Sequence, residues 1–238
     1  MELVGVVAAL LSRPFARIVA DGLGNLPTSG PAVLAVTHTT MADAPIVLST
    51  LQRAGLRLSP PCYRVGCGIE HGHARFMASA AFVMGNPIIG PIVRRGGMIP
   101  VGERQAGAAA LKSALDALAR KEIVGIFPEG DISANEDGSP RRFRLGVARL
   151  AMNMSAPVIP IVHHDARRVG SGSLARTVAG CLTAIVRRPT VRVRVGEPIL
   201  PEQFAGLPVR EVADLVQRRA TDVWRSISGV RAEAAVEI

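Results

Sequence analysis

Short apolar runs alternate with longer stretches of helical spacing along this chain, and that alternation limits the folds open to it. Ala32–Thr37, Gly97–Val101, Glu122–Phe127 and Val158–Val162 read as strands. Ala44–Arg53, Gln105–Arg120 and Leu145–Met154 read as helices, the first ended by Gly55. Val191–Val195 alternates as Val-Arg-Val-Arg-Val, which predicts a half-exposed strand near a sheet edge. Residues 209–227 form a closing amphipathic helix with Val212, Leu215, Val216, Val223 and Ile227 inward. Strands separated by helices argue for an α/β layer fold, which keeps its chemistry at strand ends and in the loops that follow.

The chain has 238 residues, enough to bury a full core in one domain. Only 3% of its residues are aromatic, so that core is built from Ala, Val, Leu and Ile. No internal repeat or long linker divides it. Leu3–Leu11 is an apolar run, too short for a bilayer that needs about twenty residues. Glu2 is its only early charge, so it lacks the basic start of a signal peptide. Arg13-Pro14 stops the run, and Phe15, Ile18 and Val19 continue an apolar face. Residues 1–20 therefore read as an N-terminal apolar segment of one or two short helices, and 21–238 as the main domain. The helical segment either lies on a membrane surface or packs on the domain's own core.

A formal charge of +9 invites nucleic acid or an anionic membrane as partner. With one Trp, one Tyr and no nucleic-acid motif, the chain lacks the stacking platforms that single strands require. The membrane surface is the better partner, and nucleic acid is not expected. Lys112 and Lys121 are the only lysines, so arginine, which grips phosphate with two parallel bonds, supplies nearly all the positive charge. Cys62, Cys67 and Cys181 are an odd number without disulfide spacing, which points to a reducing cytoplasm. Cys62, Cys67, His71 and His73 lie close together, but their spacing is not a common zinc pattern and no metal is assigned.

The densest chemistry is Thr37-His38-Thr39-Thr40-Met41-Ala42-Asp43. Five residues span about 500° of helix, so the pair cannot share a helical face. It requires His38 just outside a helix and Asp43 in the first turns. His38 then stands at the mouth of the sheet as a general base, and Asp43 fixes its tautomer and steadies the imidazolium. Downstream come Gly97-Met98-Ile99-Pro100-Val101-Gly102-Glu103-Arg104, then Phe127-Pro128-Glu129-Gly130, then the proline-bracketed strand Ala156–Val162. No Gly-x-Ser-x-Gly elbow supplies a nucleophile, which favours direct transfer without a covalent intermediate.

Four such blocks in this order resemble the PlsC-like glycerolipid acyltransferases, which include the 1-acylglycerol-3-phosphate acyltransferases. The resemblance runs from Gly22-Leu23-Gly24-Asn25-Leu26-Pro27 to Val193-Arg194-Val195-Gly196-Glu197-Pro198-Ile199. It implies a mixed, largely parallel central sheet flanked by helices. It also implies a catalytic His38–Asp43 dyad, a phosphate clamp at Arg104, and an acceptor site shaped by Glu129 and Gly130. Thr37 and Thr40 stand in the same turn, where the family commonly has Asn and Ser. No cofactor is implied. The co-substrate is an acyl thioester, acyl-CoA or an acyl carrier protein, and the acceptor is a lysophospholipid at the inner face of the cell membrane. Two departures bear on the acceptor. Ser79 stands where the family often has Lys, and Asp131-Ile132-Ser133 replaces Thr-Arg-Ser. Positive charge is lost near the acceptor phosphate, with Arg141, Arg142 and Arg144 close by. The same dyad on an ornithine-type lipid or a specialised metabolite, and a non-catalytic lipid-binding protein, are the alternatives.

Overall fold

A computed structural model describes residues 8, 10, 12–56, 74–79, 85–87, 89–95, 97–102, 106–132, 135, 137–170 and 174–229. Its strands are β1 (Arg17–Asp21), β2 (Ala32–Val36), β3 (Ala74–Ser79), β4 (Ile99–Val101), β5 (Ile123–Ile126), β6 (Val158–His164) and β7 (Thr190–Val195). The helices are α1 (Asp43–Arg53), α2 (Ile89–Arg95), α3 (Ala106–Ala119), α4 (Gly146–Met154), α5 (Leu174–Arg187) and α6 (Val209–Ser228). All seven strands join one sheet in the order β1-β7-β6-β2-β5-β3-β4. Neighbours run parallel except β6 and β7, so β1 and β7 together oppose the other five. The sheet is mixed and largely parallel, flanked by helices on both faces.

Both faces of β2 are apolar because both are covered. Val33 and Ala35 pack with α3, α4 and α6, while Ala32, Leu34 and Val36 pack with α1. A parallel strand sealed on both sides needs apolar residues at every position, hence a run without alternation. β7 does alternate: Val191, Val193 and Val195 are buried, and Thr190 and Arg194 are exposed.

Three segments correct the sequence reading. Arg17–Asp21 was expected to continue the N-terminal helices but is the edge strand β1, paired with β7 from Arg17–Thr190 to Asp21–Arg194. β7 is therefore second from the edge, and β1 takes the outer place. Its exposed positions are Arg17, Val19 and Asp21, and the charged ends suit an edge that must not pair further. β3 and α5 complete the layers and carried no strand or helix expectation. The closing helix has its main burial at Val212, Ala213, Val216, Ala220, Trp224 and Ile227, with Leu215 and Val223 only partly buried. The segment with Cys62, Cys67, His71 and His73 lies outside the described residues. Among the described residues no helix is long and apolar enough to cross a membrane.

Gly125 is the point where packing reaches the end of the sheet that bears His38. It faces Phe76 across the β3–β5 pair, and a Cβ there would lie 2.4 Å from the buried Phe76 ring. Phe76 in turn contacts Phe127, ring centroids 6.3 Å apart. The Gly125→Val variant should lose about 2–3 kcal/mol of stability, since a buried ring cannot yield without moving its neighbours. Urea denaturation of wild type and variant checks the figure.

Candidate active site

β2 ends at Val36, and the chain turns through Thr37–Ala42 before α1 starts at Asp43. The turn folds back on the helix. Asp43 is fully buried, and its Oδ2 accepts the Thr39 N–H at 2.5 Å and the Thr40 N–H at 2.7 Å. The same oxygen lies 3.1 Å from His38 Nδ1. An anionic carboxylate there requires Nδ1 to carry the ring proton, which leaves Nε2 as the basic nitrogen. The His38 ring stacks on Phe127 with centroids 4.3 Å apart and 28° between planes. Its edge is thus fixed by Asp43 and its face by Phe127, while the side chain keeps 17% exposure.

A second histidine completes the group. His163 Nε2 stands 3.3 Å from Asp43 Oδ2 and 2.9 Å from the Thr37 carbonyl oxygen. Burial alone would push the Asp43 carboxyl up, but His163 and His38 outweigh it and hold the group below the usual carboxylate range. Burial likewise disfavours a charged His163. Asp43, the Thr37 carbonyl and Glu129 reverse that and raise its proton affinity above that of an ordinary histidine.

Glu129 links this turn to the loop after β5. Its Oε1 accepts the His38 backbone N–H at 3.1 Å, and its Oε2 accepts that of Arg141 at 3.4 Å. Burial raises its carboxyl to about 7, against the opposing pull of those two N–H groups. Gly130 has φ +77°, and a Cβ there would meet the Arg144 side chain at 2.4 Å, so glycine answers both the backbone and the close approach. Beyond it opens a cleft of about 790 Å³ lined by Glu129, Asp131, Arg141, Arg142, Arg144 and Gln217, among others. Arg144 Nη2 reaches Asp131 Oδ2 at 3.6 Å, both side chains well exposed.

The structure brings His38, Asp43, Glu129 and Gly130 together. Thr37 and Thr40 belong to the same turn, but both are buried. The Thr40 hydroxyl donates to the Gly170 carbonyl, and Thr37 contributes its backbone oxygen to His163. Arg104 lies outside the described residues. Among the described residues no group of three or more His, Cys, Asp or Glu is arranged to hold a metal ion. Sequence reasoning missed His163 and the platform role of Phe127. One signal was present: His163 follows Ile159 and Ile161 at period two, on the strand face turned to α1.

A histidine held by a buried carboxylate at a strand end, with an arginine-lined cleft next to the Glu129 that bonds its N–H, is an arrangement suited to proton transfer in a group-transfer enzyme. Residues 17–164 match the family described as Acyltransferase, and the chain belongs to that family. It is a PlsC-like O-acyltransferase. It is 25% identical over 187 residues to a 1-acyl-sn-glycerol-3-phosphate acyltransferase of Bacillus subtilis, spanning 79% of this chain and 76% of the relative. Its fold resembles that of the 1-acyl-sn-glycerophosphate acyltransferase PlsC from Thermotoga maritima. The TM-score is 0.68 at 17% identity, over 96% of this chain and 78% of the other.

The raised Glu129 carboxyl sets a pH dependence of stability. Unfolded, it ionises near 4.5; folded, near 7. A carboxyl raised on folding contributes stability that is complete below pH 4.5 and lost as pH rises through 7. Wild type should lose about 2–3 kcal/mol from this group between pH 5 and 8. Glu129→Gln, which does not titrate, should show a correspondingly flatter profile. Denaturant midpoints across that range decide it, and parallel wild-type and variant profiles would refute the assignment.

Proposed function

We propose that this acyltransferase moves a fatty acyl group from an acyl thioester, carried on coenzyme A or an acyl carrier protein, to the hydroxyl of a lysophospholipid. The observation that carries the reading is the His38–Asp43 contact, which leaves His38 Nε2 unclaimed by Asp43 on a residue whose backbone N–H bonds to Glu129 of the cleft. His38 Nε2 takes the proton of the acceptor hydroxyl as its oxygen attacks the thioester carbonyl. Asp43 supports the imidazolium that forms. The tetrahedral intermediate collapses, the C–S bond breaks, and the departing thiolate takes the proton from His38. Ester and thiol are the products, and no cofactor is required. Phe127 holds the ring in plane; Thr37 fixes the turn through its backbone oxygen, and Thr40 through its N–H and buried hydroxyl.

The cleft supports an acceptor that carries phosphate. Arg141, Arg142 and Arg144 concentrate positive charge beside Glu129, and guanidinium forks match phosphate oxygens. They offset the charge lost at Ser79 and Ile132 and the acid gained at Asp131, and Arg104 adds a further clamp on the family's pattern. The second reading, an acceptor with less negative charge, draws on Asp131, which sits opposite Arg144 and takes part of its charge.

Membrane docking draws on a different surface. Leu10, Leu182, Ile185 and Val186 are exposed, and the last three share one stripe of α5. Arg13, Arg187 and Arg188 are exposed nearby, and Arg188 Nη2 donates to the Arg13 carbonyl at 3.1 Å. β7 begins beside the end of β6, at the His164–Arg192 pair, so this patch lies at the His38 end of the sheet. Apolar residues rimmed by arginine fit an anionic lipid surface, which would present acyl chains to the catalytic end.

Thiol release from palmitoyl-CoA with lysophosphatidic acid, lysophosphatidylcholine, monoacylglycerol and no acceptor tests the chemistry. His38→Ala should lower kcat by about 10²–10⁴-fold; unchanged turnover would remove the dyad reading. Joint replacement of Arg141 and Arg142 by Gln should raise KM for lysophosphatidic acid about tenfold or more and leave KM for monoacylglycerol unchanged. Equal effects on both acceptors would reject the phosphate assignment. Ile185→Glu with Val186→Glu should abolish co-sedimentation with phosphatidylglycerol vesicles while thiol release from soluble short-chain substrates persists. Retained sedimentation would place docking elsewhere.

A further inference from the structure

His163 is a costly residue for its position. It follows Ile159 and Ile161 on the α1 face of β6, where an apolar side chain would pack without an imidazole to desolvate. It is 1% exposed, and its Nδ1 has no hydrogen-bond partner among the described residues. All its polar contact runs through Nε2, which stands 2.9 Å from the Thr37 oxygen and 3.3 Å from Asp43 Oδ2. Both are acceptors, so this nitrogen carries the proton.

The contact joins two elements that have to stay in register. Thr37 follows the last residue of β2 and immediately precedes His38, while Asp43 opens α1. We propose that His163 is a positioning residue of acyl transfer: its Nε2–H clamps the Thr37 carbonyl to the Asp43 carboxylate and holds that carboxylate against His38. The proposal rests on the reading of His38 as the base. Asp43 is then shared between two imidazoles, and only one of them, His38, reaches solvent.

Sharing also affects charge. The titratable groups acting on His163 are Asp43 on α1 and Glu129 after β5, and Asp43 also holds His38. A proton on His163 draws on the same carboxylate that steadies a protonated His38. Replacing His163 by a donor that cannot take a proton leaves Asp43 to act on His38 alone.

Two substitutions separate these roles from packing. Gln offers an N–H donor that does not titrate; Leu fills the site and offers none. The measurements are kcat, both KM values, the pH dependence of kcat/KM and thermal melting of the purified chain. His163→Leu should lower kcat about 30-fold or more with KM values little changed, since misplaced catalytic groups cost about 10²-fold. His163→Gln should keep kcat within about fivefold of wild type. It should also move the acid limb of kcat/KM to higher pH, because Asp43 then acts on His38 alone. A role in packing alone gives the opposite order, Leu near wild type and Gln impaired, and would overturn the proposal. If the Leu variant does not fold, Gln decides: retained kcat with a displaced limb upholds the clamp. A folded Gln variant that is inactive, or whose limb has not moved, overturns it. Failure of the base reading shows separately, as full turnover by His38→Ala.

Discussion

A carboxylate sealed from water persists only where the protein replaces its hydration, and the His38 end of this fold is arranged around that demand at Asp43. Two backbone N–H groups of the preceding turn and two imidazoles surround one of its oxygens. The start of α1 adds its dipole, favourable to negative charge. Each donor comes from a segment placed for other reasons: the turn by the end of β2, His163 by the register of β6, the helix by its apolar packing under the sheet. Moving any one of them leaves a buried charge short of partners, which is far more costly than losing a surface contact.

The strand order explains why these groups meet. β2 lies between β6 and β5 with its end open to the turn. Val36 pairs with Ile161, so two residues further on His38 stands level with His163. Gly125 lies flat under Phe76, which supports Phe127, which supports His38. An apolar core poor in aromatic residues thus spends two of its six phenylalanines on holding one imidazole in plane.

What was legible in the sequence was local. The strand–turn–helix geometry around His38 and Asp43 follows from a five-residue advance that cannot share one helical face, and strands β2, β5 and β6 are apolar runs of strand length. What was not legible depends on distant chain. Arg17–Asp21 is a strand because β7 offers an open edge, and its alternation is masked by the exposed Val19. His163 gains its partners from strand register, which single-strand periodicity does not give. Glu129 was expected to help shape the acceptor site, and no local pattern shows that its two oxygens accept the backbone N–H groups of His38 and Arg141.

Those two bonds make Glu129 the joint between base and acceptor cleft. With a carboxyl that titrates about 7, it is ionised and neutral in comparable amounts near neutral pH. On the proposed reading, an acceptor phosphate settles among Arg141, Arg142 and Arg144, next to the Glu129 oxygen that faces Arg141. Like charge disfavours the ionised carboxyl, so acceptor binding draws a proton onto Glu129. The bond to the His38 N–H survives, because a protonated carboxyl still accepts through its carbonyl oxygen. Asp43 is then the carboxylate left charged beside His38, and the imidazolium formed during transfer is stabilised by the group that points at it. Binding energy at the arginines would in this way reach the base through a single proton.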